Sequence, residues 1–484
     1  MAGEDAHVLV FPVPAQGHLN CMLHFATGLL AAGLHVTFLH TDHSLRRLGA
    51  AAAACSSPRL RFLSIPDGLP DDHPRLVDTI SELLDSLWTK ASGSYRALLS
   101  SPLCNGGGGD DVFPPVTFVV ADGILPFAVD VAEELGVPAI AFRTVSACSV
   151  LAYHSIPNLI ARGELPFPEG GGADLDAAVR GVPGMESFLR RRDLPVQCRR
   201  MSSTHDDEPL LKTVVPATLH HATARALLLN TSSSLEESSL AQLRQQGMRD
   251  VFAVGPLHAL SPAPASATSL WAQDGGVAAW LDARGDRSVA YVSLGSLAVF
   301  SSRDQFHEFL AGLVASGYAF LWVLRPDMVD TIQDAALREA VAAVGQDRAR
   351  VVPWVAQRDV LRHRAVGCFL THSGWNSTLE GAAEGVPMVC WPFFADQQVN
   401  SRFVAAVWGN GLDMKDVSDR AVVERMVREA MESDQVRAAA TDVARRLRED
   451  VADGGASAKE FQRLVAFIRE LSACPQRKRP GLSS

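Results

Sequence analysis

The chain of 484 residues has no long apolar run, no pattern of paired cysteines and no excess of positive charge. Its most apolar window, residues 309–324, is broken by Gly312, Ser316 and Gly317 and reads as a helix followed by a strand. No membrane span is therefore expected, since crossing a bilayer takes about 20 apolar residues in a row. The eight cysteines, Cys21, Cys55, Cys104, Cys148, Cys198, Cys368, Cys390 and Cys474, form no Cys-x-x-Cys and no Cys/His spacing that suits zinc. That excludes a disulfide framework and fits reduced thiols in a cytoplasmic protein. A formal net charge of −10 argues against nucleic acid as a partner, and Arg477-Lys478-Arg479 is only a short basic tail. The acidic start, Met1-Ala-Gly-Glu-Asp, runs directly into apolar Val8-Leu-Val-Phe, whereas a secretory leader begins basic and has a longer apolar stretch.

Two catalytic signatures are missing as well. Phe11-Pro-Val-Pro-Ala-Gln-Gly replaces the Gly-x-Gly-x-x-Gly that a nicotinamide-dependent dehydrogenase carries after its first strand. No Gly-x-Ser-x-Gly elbow of a serine hydrolase occurs.

What is present is alternation. With 47% hydrophobic and 20% charged residues the chain can bury a large interior, and its length calls for more than one domain. Residues 7–13, 35–40, 117–121 and 139–142 read as strands, with helical spacing over 19–32 and 127–135. A second series follows, with strands over 289–294, 320–324, 350–352, 368–371 and 388–391 and a helix over 305–316. Strands alternating with helices predict α/β domains with parallel sheets. The Pro/Ala/Ser stretch beginning at Leu260 has linker composition, and Asn105-Gly-Gly-Gly-Gly and Glu169-Gly-Gly-Gly read as surface loops. The expected division is 1–245, a linker over 246–275, a second domain over 276–460, and a tail over 461–484 that can return to the first. Ligands of such sheets sit beyond the carboxyl ends of the strands, so the chemistry belongs in loops that directly follow strands.

The densest polar array of that kind lies in residues 354–397. Cys368–Thr371 predicts a buried strand, His372-Ser-Gly-Trp-Asn a tight turn, and Ser377-Thr-Leu-Glu-Gly the start of a helix. Free backbone N–H groups and the helix dipole make that junction an anion site. His372, Asn376 and Ser377 add donors, Glu380 can accept from a ribose diol, Trp354 offers a face for a base, and Asp396-Gln397 suits sugar hydroxyls. This segment of 44 residues resembles the signature box of the plant family 1 UDP-dependent glycosyltransferases. The likeness covers Trp-x-x-Gln at its start, His-x-Gly-Trp-Asn-Ser, Glu380 and the closing Asp-Gln. It departs at Ser373, where many relatives have Cys.

The resemblance implies a GT-B fold, in which two Rossmann-like domains face one another across a cleft. It also implies UDP-glucose as donor and co-substrate. In that family Trp354 stacks on uracil, Val355 and Trp375 line the donor site, Gln357 reads the base edge, and His372, Asn376 and Ser377 hold the diphosphate. Glu380 takes the ribose and Asp396 with Gln397 the sugar. Tyr291-Val-Ser-Leu-Gly-Ser296 matches the loop whose last serine approaches the phosphates.

The base should come from the first half. Pro14-Ala-Gln-Gly-His18 directly follows the first strand, and a neutral histidine there can take a proton from an acceptor hydroxyl. A lone histidine in such a place is more often structural, but Asp122 ends the strand Val119-Val-Ala-Asp and can orient its ring. The resemblance extends to both residues and implies a catalytic dyad acting by inversion, from α-glucose on the donor to a β-glucoside. No Asp-x-Asp directly follows a strand to carry Mg²⁺, so no metal is expected. Leu19, Phe127, Phe142, Met185 and Phe394 are the candidates for the acceptor pocket. Residues 184–195 resemble a subgroup that includes cyanohydrin, iridoid and terpenoid glucosyltransferases, some of whose neighbours accept flavonoids. A flavonoid, another phenolic or a terpenoid therefore all stand as acceptors, and a monomer is expected. A non-catalytic UDP-sugar binder is the alternative, against which His18 and Asp122 both speak.

Overall fold

The structure, a computed structural model, describes residues 6–48, 57–75, 79–106, 113–168, 174–248, 250–261, 274–295, 300, 302–324 and 331–473. Two sheets, parallel throughout, organise it. The first contains β1 (His7–Phe11), β2 (His35–Thr41), β3 (Leu60–Ile65), β4 (Phe118–Asp122), β5 (Ala139–Arg143), β6 (Ala226–Leu229) and β7 (Asp250–Ala253) in the order β3-β2-β1-β4-β5-β6-β7. The second contains β8 (Val289–Ser293), β9 (Ala319–Val323), β10 (Ala349–Val352), β11 (Val366–Thr371), β12 (Met388–Cys390) and β13 (Gly411–Asp413) in the order β10-β9-β8-β11-β12-β13. Fully buried strands such as β1, β4 and β5 have helices over both faces, which is why they read as continuous apolar runs.

Side chains alternate across each strand. Val8 and Val10 of β1 join one core layer with Phe25 and Phe118, while Leu9 and Phe11 join the opposite layer. In β5, Ile140 and Phe142 belong to the first layer and Ala139 and Ala141 to the second. This alternation decides which strand-end residues reach the site.

Two boundaries differ from the sequence reading. β7 lies past residue 245, so the first sheet runs on into the stretch assigned to the linker; of that stretch, 262–273 fall outside the described residues. The returning segment starts earlier than 461, as the helix Ala456–Ala473. Its Leu464, Val465 and Ile468 pack with Val8, Phe25 and Phe118 of the first domain. Ser457 Oγ donates to Gly255 O at 2.6 Å and Arg469 Nη2 to Ala32 O at 2.8 Å. The loops expected after Asn105 and Glu169 lie mostly outside the described residues.

The halves are joined by specific bonds near the cleft. Trp375 Nε1 donates to Asn230 O and Asn376 Nδ2 to Gly17 O, both at 2.7 Å. The fully buried carboxylate of Asp193 meets Lys415 at 3.1 Å and Arg402 at 3.4 Å from the other domain, and Arg190 of its own at 3.0 Å. Ser232 and Ser234 both donate to Asp450. A buried charge held on several sides in this way fixes geometry more than it adds stability.

Candidate active site

Strand order reverses between β1 and β4 in one sheet and between β8 and β11 in the other. At such a reversal the following helices leave to opposite sides, and a crevice opens beyond the strand ends. The two crevices face each other across one cleft with a volume of about 380 Å³. His18, in the first turn of the helix Gln16–Ala31 after β1, reaches it from one side, and Ser293, Gly295 and His372 reach it from the other.

Asp122 ends β4 and is fully buried behind His18. Its Oδ2 lies 2.6 Å from His18 Nδ1 and accepts from Val13 N at 3.2 Å, and Oδ1 accepts from Ile124 N at 3.1 Å. Thr144 Oγ1 lies 3.0 Å from the same ring nitrogen. Burial pushes the Asp122 carboxyl up, but the charge and hydrogen bond of His18, the Ile124 N–H and nearby Arg143 outweigh it, and the group stays below the usual carboxylate range. With Nδ1–H donated to a carboxylate, a neutral His18 carries its lone pair on Nε2, the nitrogen available to a proton in the cleft.

On the donor side, β11 ends at Thr371 and the chain turns at Ser373, a buried non-glycine residue at φ +63°. The turn is held from two sides: Ser373 N donates to Thr371 Oγ1 at 3.2 Å and Ser373 O accepts from Asn400 Nδ2 at 3.0 Å. The helix Trp375–Glu384 then begins with no side-chain cap, so its first N–H groups and positive dipole end face the cleft. It starts two residues before the expected Ser377. The His372 ring is wedged between Gly295 and Gly374, where a Cβ on either would collide with it. Burial lowers the His372 pKa to about 4, so the ring is neutral near pH 7.

The other expected donor residues gather around this turn, and Trp354, Val355, Gln357, Trp375, Asn376, Ser377, Glu380, Asp396 and Gln397 all line the cleft. Gln357 Nε2 donates to Ser377 Oγ at 2.9 Å and to Glu380 Oε2 at 2.8 Å, so its amide bridges these two residues of the array. Burial raises Glu380 and Asp396 above the usual carboxylate range, against the hydrogen bonds of Gln357 and Asn400 respectively. Gln397 Oε1 accepts from Phe393 N and Phe394 N, both at 2.8 Å, which leaves its NH₂ for a ligand. Asn400 Nδ2 holds Asp396 at 2.7 Å, while its Oδ1 accepts from Ser146 Oγ of the first domain at 2.6 Å. Ser296 lies outside the described residues.

Of the acceptor candidates only Phe394 lines the cleft. Leu19, on the buried face of the helix Gln16–Ala31, and Phe142 belong to the core layer that this helix covers, Met185 is buried in the opposite layer, and Phe127 packs edge-on with Phe11 and Tyr95. The apolar wall instead consists of Ile80, Leu84, Ile124, Val145, Tyr153, Leu210 and Val214, with Arg143 among them. Strand alternation could have separated Arg143 from Phe142, but residues 80, 210 and 214 arrive from distant helices that no local pattern links to the site.

Two parallel α/β domains with both switch points turned into one cleft, an anion-binding turn on one side and a histidine–aspartate pair on the other, define the GT-B class of sugar-nucleotide transferases. A family profile described as "UDP-glucoronosyl and UDP-glucosyl transferase" matches residues 251–438. The chain is 44% identical, over 98% of its length and 98% of the relative's, to a myricetin 3-O-rhamnoside 1,2-glucosyltransferase from Crocosmia x crocosmiiflora. It is 43% identical, over 96% of its length and 98% of the relative's, to a 7-deoxyloganetic acid glucosyltransferase from Catharanthus roseus. A crystal structure of a UDP-glucose:anthocyanidin 3-O-glucosyltransferase with UDP superimposes with a TM-score of 0.81 at 25% identity, covering 97% of this chain and 100% of that one. The chain belongs to the plant family 1 UDP-glycosyltransferases. It is thus an enzyme that transfers a sugar from a UDP-sugar to a small metabolite. No helix among the described residues is long and apolar enough to cross a membrane.

Proposed function

We propose that the enzyme transfers glucose from UDP-glucose, with inversion, to a hydroxyl or carboxyl of a small hydrophobic plant metabolite, a flavonoid or other phenolic or a terpenoid. The observation that carries this reading is the pair of His18 and Asp122 at 2.6 Å, opposite the donor-binding turn. His18 Nε2 takes the acceptor proton, the acceptor oxygen attacks the anomeric carbon in line, and UDP leaves with the C–O electron pair. Asp122 fixes the tautomer and stabilises the imidazolium that forms. Charge developing on the leaving diphosphate meets the N-terminus of the helix Trp375–Glu384 and the donors at His372, Asn376 and Ser377. These groups supply proton transfer and charge stabilisation from the chain itself, so the reaction needs no cofactor beyond the co-substrate. The donor is assigned to the second domain and the acceptor to the first. We place the enzyme in the cytoplasm as a monomer. The relatives named for myricetin 3-O-rhamnoside and 7-deoxyloganetic acid span both acceptor classes.

The test is transfer to a panel of flavonoids, phenols and terpenoid alcohols and acids, with a chelator present. UDP release, glucoside mass and anomeric configuration are read together for wild type and His18→Ala. A β-glucoside from the wild type and a loss of at least about a hundredfold in the variant are expected. Tight UDP binding with no turnover on any acceptor would favour the non-catalytic reading. Full activity in His18→Ala would remove the dyad.

A further inference from the structure

Arg143 is the last residue of β5 and lines the cleft at 1% exposure. By alternation it points to the layer away from Phe142, toward the apolar wall formed by Ile124, Val145, Tyr153, Leu210 and Val214. Its stem lies against Gly123, where a Cβ would come within 2.6 Å of its Cδ. Gly123 thus leaves the groove through which the guanidinium reaches. The guanidinium acts electrostatically on Asp122, the partner of His18, and shares the cleft with His18, so it stands close to the reacting group.

The side chain has donors and nothing to give them to. Nε is buried without a hydrogen-bond partner, and among the described residues no hydrogen bond or ion pair to the guanidinium is found. Its nearest charges are Asp122 and Asp396, with the Tyr153 phenol beside it. Asp122 is already committed to His18, Val13 and Ile124, and Asp396 to Asn400. An arginine keeps its charge even when buried, and such a charge left unpaired is strongly destabilising. A cation whose donors are left without hydrogen-bond partners in an apolar wall, next to the base, is placed to meet an anion brought by the ligand. The planar fork suits a carboxylate held by two parallel bonds.

We infer that Arg143 binds a carboxylate carried by the acceptor, so that the preferred acceptor is a hydrophobic hydroxy acid whose hydroxyl, not its carboxylate, meets His18. This rests on the proposed transfer and narrows its substrate class.

The test compares hydroxy acids with their own methyl esters, using monoterpenoid and hydroxycinnamic acid pairs with UDP-glucose. Wild type is expected to favour each acid that fits by about tenfold to a hundredfold in kcat/KM, the range of a charge-assisted bond. In Arg143→Met that ratio should fall to about one, and Arg143→Lys should recover part of it. The product should be a glucoside with a free carboxylate. Equal use of acid and ester by the wild type, equal losses of both in Arg143→Met, or a hydroxylamine-labile glucose ester as sole product would each overturn the inference. If no acceptor is turned over, the proposed transfer fails. Calorimetry of acid and ester on the UDP-loaded protein then decides Arg143 alone: tighter acid binding that disappears in the variant supports it, and equal binding sinks it. UDP affinity reports whether each variant is folded, and the wild-type comparison of acid with ester stands even if neither variant folds.

Discussion

In the second domain most of the cleft lining comes from one run of 44 residues, Trp354 to Gln397, joined by Ser293, Gly295 and Val323, whereas the wall opposite draws on the scattered Val13, Leu84, Ile124, Arg143 and Val214. The topologies are alike, and both sites sit at a switch point. What differs is the ligand each must hold. A nucleotide sugar presents phosphates, a diol and a base, which a strand–turn–helix junction can meet with backbone groups and a few neighbouring side chains. A small hydrophobic acceptor presents mainly area, and area is covered by whichever helices happen to pass. One kind of site is written locally, and the other is assembled across the domain.

Substitutions on the two sides should therefore fail in different ways. The largest effect is expected from Asp122→Asn, which keeps the shape but lets His18 settle in the wrong tautomer. By comparison with triads treated in this way, kcat should fall by about 10²- to 10⁴-fold, with the KM for UDP-glucose changing much less. Steady-state kinetics in both substrates checks the split, and a loss confined to donor KM would erase the proposed division of labour. Trp354→Ala should do the reverse. Losing a stacking face of about 1–3 kcal/mol corresponds to roughly 5- to 150-fold weaker binding of UDP, read by calorimetry.

The carboxylates sharpen the comparison further. Asp122 is held below its ordinary pKa, so its stabilising contribution is complete above about pH 4 and is lost as pH falls through the folded-state value. Asp396 is held above its ordinary pKa by burial. Its penalty grows as pH rises from about 4 through the raised value and disappears on acidification. The same isosteric change should thus have opposite signs at pH 7: Asp122→Asn lowers the Tm of the ligand-free protein and Asp396→Asn raises it, each by about 1–3 °C. The two differences should shrink in the acid range, Asp396→Asn first. A fall in Tm for both would mean that Asn400 and its neighbours already compensate Asp396 in full.

The sequence disclosed these halves unequally, and for the same reason. Strands over 7–13, 117–121 and 289–294 were visible because a parallel strand buried on both faces is a plain apolar run. β3, β6, β7 and β13 were not legible. β3 is mostly half-buried and carries Arg61 and Ser64, so it shows no plain apolar run. The other three have only three or four residues, although β10 and β12, equally short, were legible. His18 and Asp122 were legible since each directly follows or ends such a run. Phe142 was a natural choice for the acceptor wall, yet alternation sends it into the core and turns Arg143 to the cleft. Leu19 illustrates the same limit on a helix: next to His18 in sequence, it lies about 100° round the axis and is buried in the core. Composition ranks side chains by polarity, while the cleft selects them by direction.

The smallest effect belongs to Ser373→Gly, and it probes how the locally written site keeps its shape. At φ +63° an L residue is disfavoured by about 1–2 kcal/mol, which glycine would relieve. Glycine also loosens the unfolded chain, at a cost of about 0.4–1 kcal/mol, so the two terms nearly cancel. A Tm within about 2 °C of wild type is expected. That outcome would mean the turn is set by its tertiary bonds, Thr371 Oγ1 on its N–H and Asn400 Nδ2 on its carbonyl, rather than by the residue's own preference. A rise of more than about 4 °C would mean that the turn stores strain beyond the ordinary left-handed penalty. Asn400 would then be holding a loaded element that spans Ser373, Asp396 and the first domain's Ser146, and the donor side would depend on the domain interface as much as the acceptor side does.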